Sequence, residues 1–436
     1  MNGIDTSPVV GICQDLIRID TQNFGPDPRT RPEAEAADYV IGLLRSWGYE
    51  TETYESEPGR VSVLVRVAGA NPELPALIVH GHLDVVPAPA EEWSVDPFGG
   101  VIKDGYLWGR GAVDMKNMDA MMLVCLKDMA ERGWRPRRPM IFAFFADEEA
   151  GGLKGAKWMV ANHPEAFAGA SHAISEVGGY SVEVGGRRVY LIQTGEKGLR
   201  WLTLSAKGTA GHGSVVNEDN AITRIASAIS RIGSHRWPLH LTDTVRALLR
   251  QVAELTDRPY AEDPQTVADL VSRLGVAEAF VAATLTTRAN PTQLTGGYKV
   301  NVIPGDASAG VDLRPVPGEE ESALATIAEL AGEGIELSTM HADPGYESPF
   351  DAPIVEEMSA ALLAEDPEAI IAPYLLSAGT DNKALAPLGI TGYGFVPLAL
   401  PADFDFPAMF HGVDERIPLE ALHFGTRVLA RFLAAV

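Results

Sequence analysis

The sequence predicts an α/β fold, in which helices cover a mostly parallel sheet and a smaller α+β unit is inserted into the larger one. First, the chain has 436 residues, which is too long for a single hydrophobic core. Second, short apolar strand patterns alternate with helical patterns in residues 1–197 and again in residues 315–436, as in a parallel sheet. Third, residues 198–314 contain strands with one apolar and one polar face. We therefore predict a discontinuous larger domain, 1–197 plus 315–436, and an inserted smaller domain, 198–314.

Helices and strands are predicted in alternation along the first part of the chain. Thr30–Trp47 has apolar residues on one helical face and a glycine after its end, which indicates a helix. Val61–Val67 alternates like a strand, and Ala76–Val79 is a short apolar run typical of a buried strand. Met115–Met129 is predicted to be a helix, and the strongly apolar Met140–Ala146 a central strand. A short helix through residues 157 and 158 and a short strand over residues 173–175 follow.

The smaller unit and the last part of the chain continue the pattern. Trp201–Lys207 alternates like a strand, and a helix follows with apolar residues from Ala221 to Ile232 on one face. Val311 and Leu313 mark a further strand, and the composition of residues 234–289 is mostly helical. Three more helices are predicted around Glu319–Ala331, Pro353–Leu363 and Leu419–Ala434.

The composition argues against several classes of protein. The formal net charge is −24 and the sequence pI is about 4.8, so nucleic-acid phosphates and anionic membranes would be repelled. No apolar run approaches the roughly 18 residues needed to span a bilayer, and the N-terminal stretch lacks the basic start and apolar core of a leader. Cys13 and Cys125 fit neither a disulfide framework nor a thiolate metal site. We therefore predict a cytoplasmic protein that binds neither nucleic acid nor membranes.

Five short segments contain histidines and acids suited to metal binding. They are VHGHLDVVP with His82 and Asp84, GRGAVDMKN with Asp114, FFADEEAGG with Glu148 and Glu149, AISEVGG with Glu176, and FHGVDE with His411. Each segment alone also fits an ordinary role, such as a structural hydrogen bond or an acidic helix N-terminus. However, three of the segments directly follow predicted strands, and ligands collect at the carboxyl ends of parallel strands. The five segments are therefore expected to converge.

This convergence predicts a site for two divalent cations. Several carboxylates crowded together would repel one another unless cations lay between them. Nitrogen and carboxylate ligands without thiolates suit Zn²⁺, with Co²⁺ or Mn²⁺ as alternatives. We therefore predict two Zn²⁺ per chain.

The order of the segments resembles the M20 family of metallopeptidases, which includes aminoacylases, glutamate carboxypeptidases, deacylases of amino-acid biosynthesis and dipeptidases. The resemblance also covers WSVDPFGG, GTAGHGS, NVIPG, VDLRP and AGTDN, and so extends over almost the whole chain. It implies that Glu148 is the general base and that Asp84 orients a histidine ligand. The metal ligands that it implies are the bridging Asp114, then His82 and Glu176 on one metal, and Glu149 and His411 on the other.

The resemblance further implies that the larger domain is catalytic and that the inserted one is a lid and dimerisation domain. His212 would reach the active site of the other subunit of a homodimer and stabilise the oxyanion. Asn301, Arg314 and Gly379 match substrate-binding positions of the family. The guanidinium fork of an arginine suits a carboxylate, although a surface ion pair explains Arg314 equally well.

The predicted reaction is hydrolysis of an amide bond next to a free carboxylate, in a small peptide or an N-acyl amino acid. Dipeptidases of the family often have aspartate where this chain has Glu176, so a carboxypeptidase or an aminoacylase is favoured. A dipeptidase, and a family member that binds a ligand without catalysis, are the alternatives. Asn117 and Ala378 replace glycines that are usual in the family, and they leave the preferred substrate open.

Overall fold

The computed structural model describes residues 4–436, and the first three residues of the N-terminal stretch considered above lie outside the described residues. The first predicted helix begins at Ala34 rather than at Thr30, because the Thr30 hydroxyl is hydrogen-bonded within the preceding loop, to the Gly25 carbonyl and the Phe24 N–H. The α-helices of the described chain are Pro8–Arg18, Ala34–Ser46, Lys116–Arg132, Ala156–Asn162, Ala221–Ser234, Asp243–Leu255, Pro264–Ser272, Glu278–Ala282, Glu320–Ala331, Pro353–Glu365, Asn382–Leu385 and Leu419–Ala435.

The larger sheet has ten strands within the described residues. Its main path runs through Thr51–Glu55, Val61–Val67, Met140–Phe145, Ala76–His82, Ala170–Ser175, Thr391–Gly394 and Arg187–Glu196. Three further strands pair with the last of these, namely Tyr180–Val184, Tyr346–Glu347 and Ile370–Leu376. The four strands in the middle of the path are parallel neighbours, so the predicted mixed α/β fold with a mostly parallel central sheet is confirmed.

The central strands are apolar because helices cover both faces of this sheet. Every residue of Met140–Phe145 is buried. Phe142 and Phe144 pack in the hydrophobic core that contains the helix Lys116–Arg132, whereas Ile141 and Phe145 pack on the other face with the helix that begins at Ala156. Successive side chains of a strand point to opposite faces, so a strand covered twice reads as a continuous apolar run.

A smaller antiparallel sheet builds the second hydrophobic core. Its four strands are, in order, Arg288–Gly296, Asp306–Arg314, Leu199–Lys207 and Ile335–Asp343. The helices Ala221–Ser234 and Glu320–Ala331 pack in this core. Two short sheets complete the described strands, a ribbon of Gly211–His212 with Val302–Ile303, and a sheet of Val101–Lys103, Tyr106–Trp108 and Arg416–Pro418.

The bounds 198–314 of the inserted domain stay a prediction. The segments that build the second core depart from these bounds in two places. Glu320–Ala331 and Ile335–Asp343 lie beyond residue 314 but belong to the second core, because Ile335–Asp343 forms one edge of its sheet. The helices between residues 243 and 282 lie within the predicted bounds, yet their apolar faces pack in the larger core. Sequence order would therefore assign each of these segments to the opposite core.

Two further expectations concern membranes and cysteines. No helix within residues 4–436 is long and apolar enough to cross a bilayer. Cys13 and Cys125 are buried in the larger core, and neither forms a disulfide.

Candidate metal centre at the carboxyl edge of the larger sheet

Three neighbouring parallel strands of the larger sheet end at the candidate site. His82 is the last residue of one strand, and Glu176 directly follows the strand beside it. Glu148 and Glu149 begin the short turn after the strand on the other side of His82. Because parallel strands share an edge at their carboxyl ends, the four side chains lie close together, as the sequence predicted.

Asp114 and His411 reach the same edge from two loops. Asp114 lies shortly before the helix Lys116–Arg132, and its two carboxylate oxygens face different histidines. Oδ1 lies 3.1 Å from His82 Nε2, and Oδ2 lies 3.3 Å from His411 Nε2. This is the arrangement expected of a carboxylate that two cations share.

Two groups of three donor residues meet at Asp114. His82, Asp114 and Glu176 form the first group, and Asp114, Glu149 and His411 form the second, with the donor atoms of each group within 4.8 Å of one another. The first group is buried, whereas the His411 side chain is 57% exposed. The groups match the two ligand sets that the family resemblance implied. In the second group His411 is exposed, whereas the side chains of Asp114 and Glu149 are only 9% and 4% exposed.

Glu148 lies beside the first group and points away from Glu149. Its Oε2 lies 3.9 Å from His82 Nε2, whereas Glu149 Oε1 accepts a hydrogen bond from Val86 N–H at 3.2 Å. The residue before the pair, Asp147, has a φ of +63°, and the two glutamates start a tight turn after it. The turn sends the adjacent carboxylates in different directions, so one can bind a metal while the other acts as a base.

Three non-glycine residues at or beside the two groups have left-handed backbone conformations. Their φ values are 63° at Asp147, 52° at Val177, which follows Glu176, and 59° at His411. Such conformations are unfavourable by about 1–3 kcal/mol each and persist only where the surrounding contacts maintain them. Neighbouring contacts must therefore hold the backbone at these three positions.

Asp84 holds both His82 and the turn of Glu148 and Glu149. His82 Nδ1 lies 3.0 Å from the backbone carbonyl oxygen of Asp84 and 3.5 Å from its carboxylate Oδ1. The same carboxylate accepts hydrogen bonds from the backbone N–H groups of Glu148 and Glu149, both at 3.1 Å. Donation from Nδ1 leaves Nε2 free to bind a metal, which is the usual arrangement of a histidine ligand.

A buried network behind Asp84 includes residues that the sequence analysis did not single out. Asn23 Nδ2 donates to Asp84 Oδ2 at 2.8 Å and to Asp147 Oδ1 at 3.0 Å. Arg60 donates to Asn23 Oδ1 at 3.1 Å and also forms ion pairs with Asp147 and Glu33. All five side chains are buried. Asp147 stands within the FFADEEAGG segment, whereas Asn23, Arg60 and Glu33 lie outside every motif and gave no signal.

The acids of the site repel one another. Burial, followed by the charge of Glu176, raises the pKa of Glu148 well above its usual range. Burial and the nearby Asp114 raise the pKa of Glu149 to about 7 and that of Glu176 to about 8. Divalent cations between these groups would relieve the repulsion. Because imidazole nitrogens and carboxylate oxygens without thiolates are suitable zinc ligands, the donor set fits two such ions.

The residues predicted in the lid lie apart from the two groups. His212 and Asn301 lie side by side at the exposed ribbon, where the Asn301 carbonyl accepts a hydrogen bond from Gly213 N–H at 3.0 Å. Arg314 ends a strand of the smaller sheet, with its Nε 2.9 Å from Asp312 Oδ1. Within residues 4–436, no hydrogen bond or ion pair joins these three predicted residues to either metal group.

Gly379 lies in the loop after the strand Ile370–Leu376. A Cβ atom at this position would lie 3.0 Å from Lys383 Nζ, so a larger residue would crowd the lysine. The next residue, Thr380, donates both its N–H and its hydroxyl to the buried Glu196 carboxylate. The loop is therefore firmly held, and the substrate-binding role of Gly379 stays a prediction.

Comparisons with known proteins identify the family of this chain. Residues 78–435 match the model of "Peptidase family M20/M25/M40". The chain is 28% identical over 435 residues to the N-fatty-acyl-amino acid synthase/hydrolase PM20D1 of Bos taurus, covering 96% of this chain and 85% of the relative. It is 26% identical over 442 residues to aminoacylase-1 of Homo sapiens, covering 98% and 95%. Its fold matches the M20 family metallo-carboxypeptidase Sso-CP2 from Sulfolobus solfataricus with a TM-score of 0.74, at 17% identity and over 98% of both chains. The chain therefore belongs to peptidase family M20/M25/M40, as its sequence motifs predicted.

Proposed function

We propose that this protein is a two-metal amidohydrolase that cleaves an amide bond next to a free carboxylate, in an N-acyl amino acid or a small peptide. The observation that carries the proposal is the position of Asp114, whose two oxygens face two separate groups of ligands, with Glu148 beside one of them. A shared fold does not establish a shared reaction. The proposal therefore depends on these side chains.

The residues of the site have complementary tasks in such a reaction. Two bound Zn²⁺ ions would polarise the scissile carbonyl and increase the acidity of the attacking water. Glu148 accepts a proton from that water and delivers it to the leaving nitrogen, so that the amine departs uncharged. Asp84 holds the turn that aims Glu148, through the backbone N–H groups of Glu148 and Glu149.

Arg314 and the relatives support the proposed substrate class. Arg314 Nε binds Asp312, and no acceptor among the described residues is hydrogen-bonded to its two terminal nitrogens. The outer edge of the guanidinium fork is therefore available to a substrate carboxylate, with Asn301 and Gly379 as further contacts. The bovine relative is named for N-fatty-acyl amino acids and the human one as an aminoacylase. Both names support an N-acyl amino acid over a dipeptide.

A homodimer would complete the site with His212. The strand Arg288–Gly296 is at the edge of the smaller sheet, and one side of it has no partner strand in residues 4–436. Apolar side chains on it or just after it face solvent, including Leu294 at 61% and Tyr298 at 83% exposure. Large exposed apolar side chains beside an unpaired edge are typical of an association surface. We propose that a second copy covers this surface and that His212 of each copy stabilises the oxyanion in the other.

The cytoplasmic location is also part of the proposal. Cys13 and Cys125 are buried free thiols, which suits a reducing compartment. The acidic net charge of −24 supports a small-molecule substrate over nucleic acid or a membrane.

Metal content and turnover test the proposed function directly. Gently purified protein should contain about two metal ions per chain, as a bimetallic site requires. It should hydrolyse members of a panel of acetyl and longer N-acyl amino acids. Dipeptides with a free amine provide the comparison that identifies a dipeptidase. Full activity without metal would refute the two-metal site, and two bound metals without any turnover would identify a silent binding member of the family.

A substitution at Glu148 tests the proposed base. Glu148→Gln keeps the size of the side chain but removes the proton acceptor, so turnover should fall on the order of 10²–10⁴-fold, with the metals retained. Glu131→Gln is the control, because Glu131 pairs with Lys127 on the surface of a helix. Activity near wild type in the Glu148 variant, with intact metal content, would assign proton transfer to another group.

Subunit complementation tests the proposed role of His212. His212→Ala and Glu148→Gln proteins should each be inactive, and mixing them with subunit exchange should restore activity. The mixed dimer has one site with Glu148 from one chain and His212 from the other. A mixture that stays inactive despite measured exchange, or full activity of His212→Ala alone, would show that His212 does not act across an interface.

A further inference from the structure

Glu415 lies four residues after His411 and is fully buried. Its Oε1 accepts hydrogen bonds from the backbone N–H groups of Val113 at 2.6 Å and Asp114 at 3.1 Å. Its Oε2 accepts from Gly111 N–H at 3.2 Å and from the side chain of Arg110 at 2.7 Å. Donors therefore surround both oxygens, and three of the four belong to the backbone of the loop that carries Asp114.

Arg110 connects Glu415 to the loop that contains His411. It is 3% exposed, and its Nη1 binds Glu415. Its Nη2 lies 3.4 Å from the His411 carbonyl oxygen and 3.5 Å from the Pro87 carbonyl oxygen. The guanidinium also lies over the ring of Trp93, 5.1 Å from its centre. The rigid fork of an arginine can serve several such acceptors at once, so Arg110 connects the segments of Asp114 and His411.

His411 depends on this anchoring. Its side chain is largely exposed, so packing does little to fix its direction. Its backbone is in the left-handed region, with φ at 59°, which requires support from neighbouring contacts. Arg110 contacts the His411 carbonyl oxygen, and Glu415, to which Arg110 is paired, holds the backbone of Asp114.

We propose that Arg110 and Glu415 form a positioning pair, which holds the bridging Asp114 and the remote His411 at the spacing that the second metal ion needs. The inference rests on the proposed two-metal function and extends it to residues that neither bind metal nor touch substrate. A buried ion pair by itself contributes little to stability. The importance of this pair is that it joins two ligand segments that are distant in the sequence.

Glu415→Gln tests the positioning role without changing the size of the side chain. The amide has nearly the same shape, but its NH₂ group would face hydrogen-bond donors at one side of the present carboxylate. The loop of Asp114 must then shift relative to His411. Changes to groups that orient metal ligands typically weaken metal binding about 10–100-fold. The loss should concentrate on the second metal, because His82 and Glu176 of the first group do not contact the pair.

The experiment measures metal affinity rather than turnover. Metal-free wild type and variants are titrated with Co²⁺ and, in competition with a chromogenic chelator, with Zn²⁺, while circular dichroism monitors the fold. Glu415→Gln should raise the Kd of the second step about 10–100-fold. Arg110→Lys keeps the charge but not the fork, so it should raise the same Kd by a smaller factor. Glu365→Gln is the matched control, because Glu365 also pairs with two arginines, Arg427 and Arg431, outside the site.

The outcomes distinguish this inference from the proposed function. A wild type that binds fewer than two metals would refute the two-metal function itself. A wild type with two steps, and a Glu415→Gln variant with both steps unchanged, would refute the positioning pair and leave the function standing. If Glu415→Gln does not fold, Arg110→Lys replaces it, and an unchanged Kd for both steps in that variant would refute the positioning pair. An equal loss in the Glu365→Gln control would also overturn the inference.

Discussion

Asn23 offers a sharp test of the network behind the candidate metal centre. Its side-chain NH₂ group donates to Asp84 Oδ2 at 2.8 Å and to Asp147 Oδ1 at 3.0 Å, and all three side chains are buried. Asn23→Ala removes both donors while leaving the two carboxylates in place. Asp84 holds the backbone of Glu148 and Glu149, so the variant should affect both stability and catalysis.

The size of the effect follows from three hydrogen bonds to charged groups, because Asn23 Oδ1 also accepts from Arg60 at 3.1 Å. Each such bond contributes about 1.5–3 kcal/mol, so the loss of all three should lower the free energy of unfolding by about 4.5–9 kcal/mol. Water that enters the small polar space left by the side chain would replace part of the loss, which places the expected value near the lower end. Looser orientation of Asp84 should reduce kcat by about 10–100-fold, the usual effect of changing a group that orients ligands.

Urea unfolding and steady-state kinetics of zinc-loaded protein measure the two effects. Gln22→Ala is the control, because within residues 4–436 the Gln22 side-chain amide is hydrogen-bonded only to Asp20 and to Ala88 N–H, outside the site. It should change the free energy of unfolding by about 1 kcal/mol or less. Asn23→Asp should be at least as harmful as Asn23→Ala above neutral pH, since it adds a carboxylate against Asp84 and Asp147. An Asn23→Ala protein as stable and active as the Gln22→Ala control would refute the reasoning.

Three further predictions concern pH, metal removal and the contact between the sheets. Burial lowers the pKa of Lys197 from 10.5 to about 7, so the unfolded chain holds more protons between those values. The free energy of unfolding should rise with pH across this window, by up to about 1.4 kcal/mol per pH unit, and Lys197→Met should flatten the rise in urea titrations. Removal of metal with a chelator should lower the Tm, and Zn²⁺ at about 100 times its Kd should restore about 2.7 kcal/mol of the free energy of unfolding. An unchanged Tm would count against bound metal. Asp343→Asn breaks the 2.7 Å ion pair with Lys157 that links the smaller sheet to the helix Ala156–Asn162. It should lower the free energy of unfolding by about 1 kcal/mol in low salt and by less in high salt.

Much of the fold and of the candidate site could be predicted from the sequence, because the relevant signals are local. The strand Val61–Val67 has the bounds that its alternating pattern predicted, and Met140–Phe145 is the buried central strand that its apolar run indicated. The position of His82, Glu148 and Glu176 directly after strands was enough to bring them to one edge of a parallel sheet. The family motifs then implied the same two groups of ligands that the structure brings together.

The parts that could not be predicted depend on contacts between distant segments. Whether the helices at 243–282 pack in the larger or the smaller core is decided by which apolar face they meet, and periodicity describes the face but not its partner. Ile335–Asp343 joins the smaller sheet because it pairs with Leu199–Lys207, far away in the sequence.

The buried partners of the site show most clearly which features the sequence determines and which depend on the tertiary structure. The sequence alone determined which side chains can bind metal, because the ligand types and their places after strands are local properties. Only the tertiary structure decided that Asn23 and Arg60 support Asp84, and that Glu415 holds the backbone of Asp114. A buried polar group must be hydrogen-bonded to offset the loss of water, but any donor that the fold brings within reach can satisfy it. That freedom leaves no fixed spacing in the sequence, so such partners become visible only when the chain is folded.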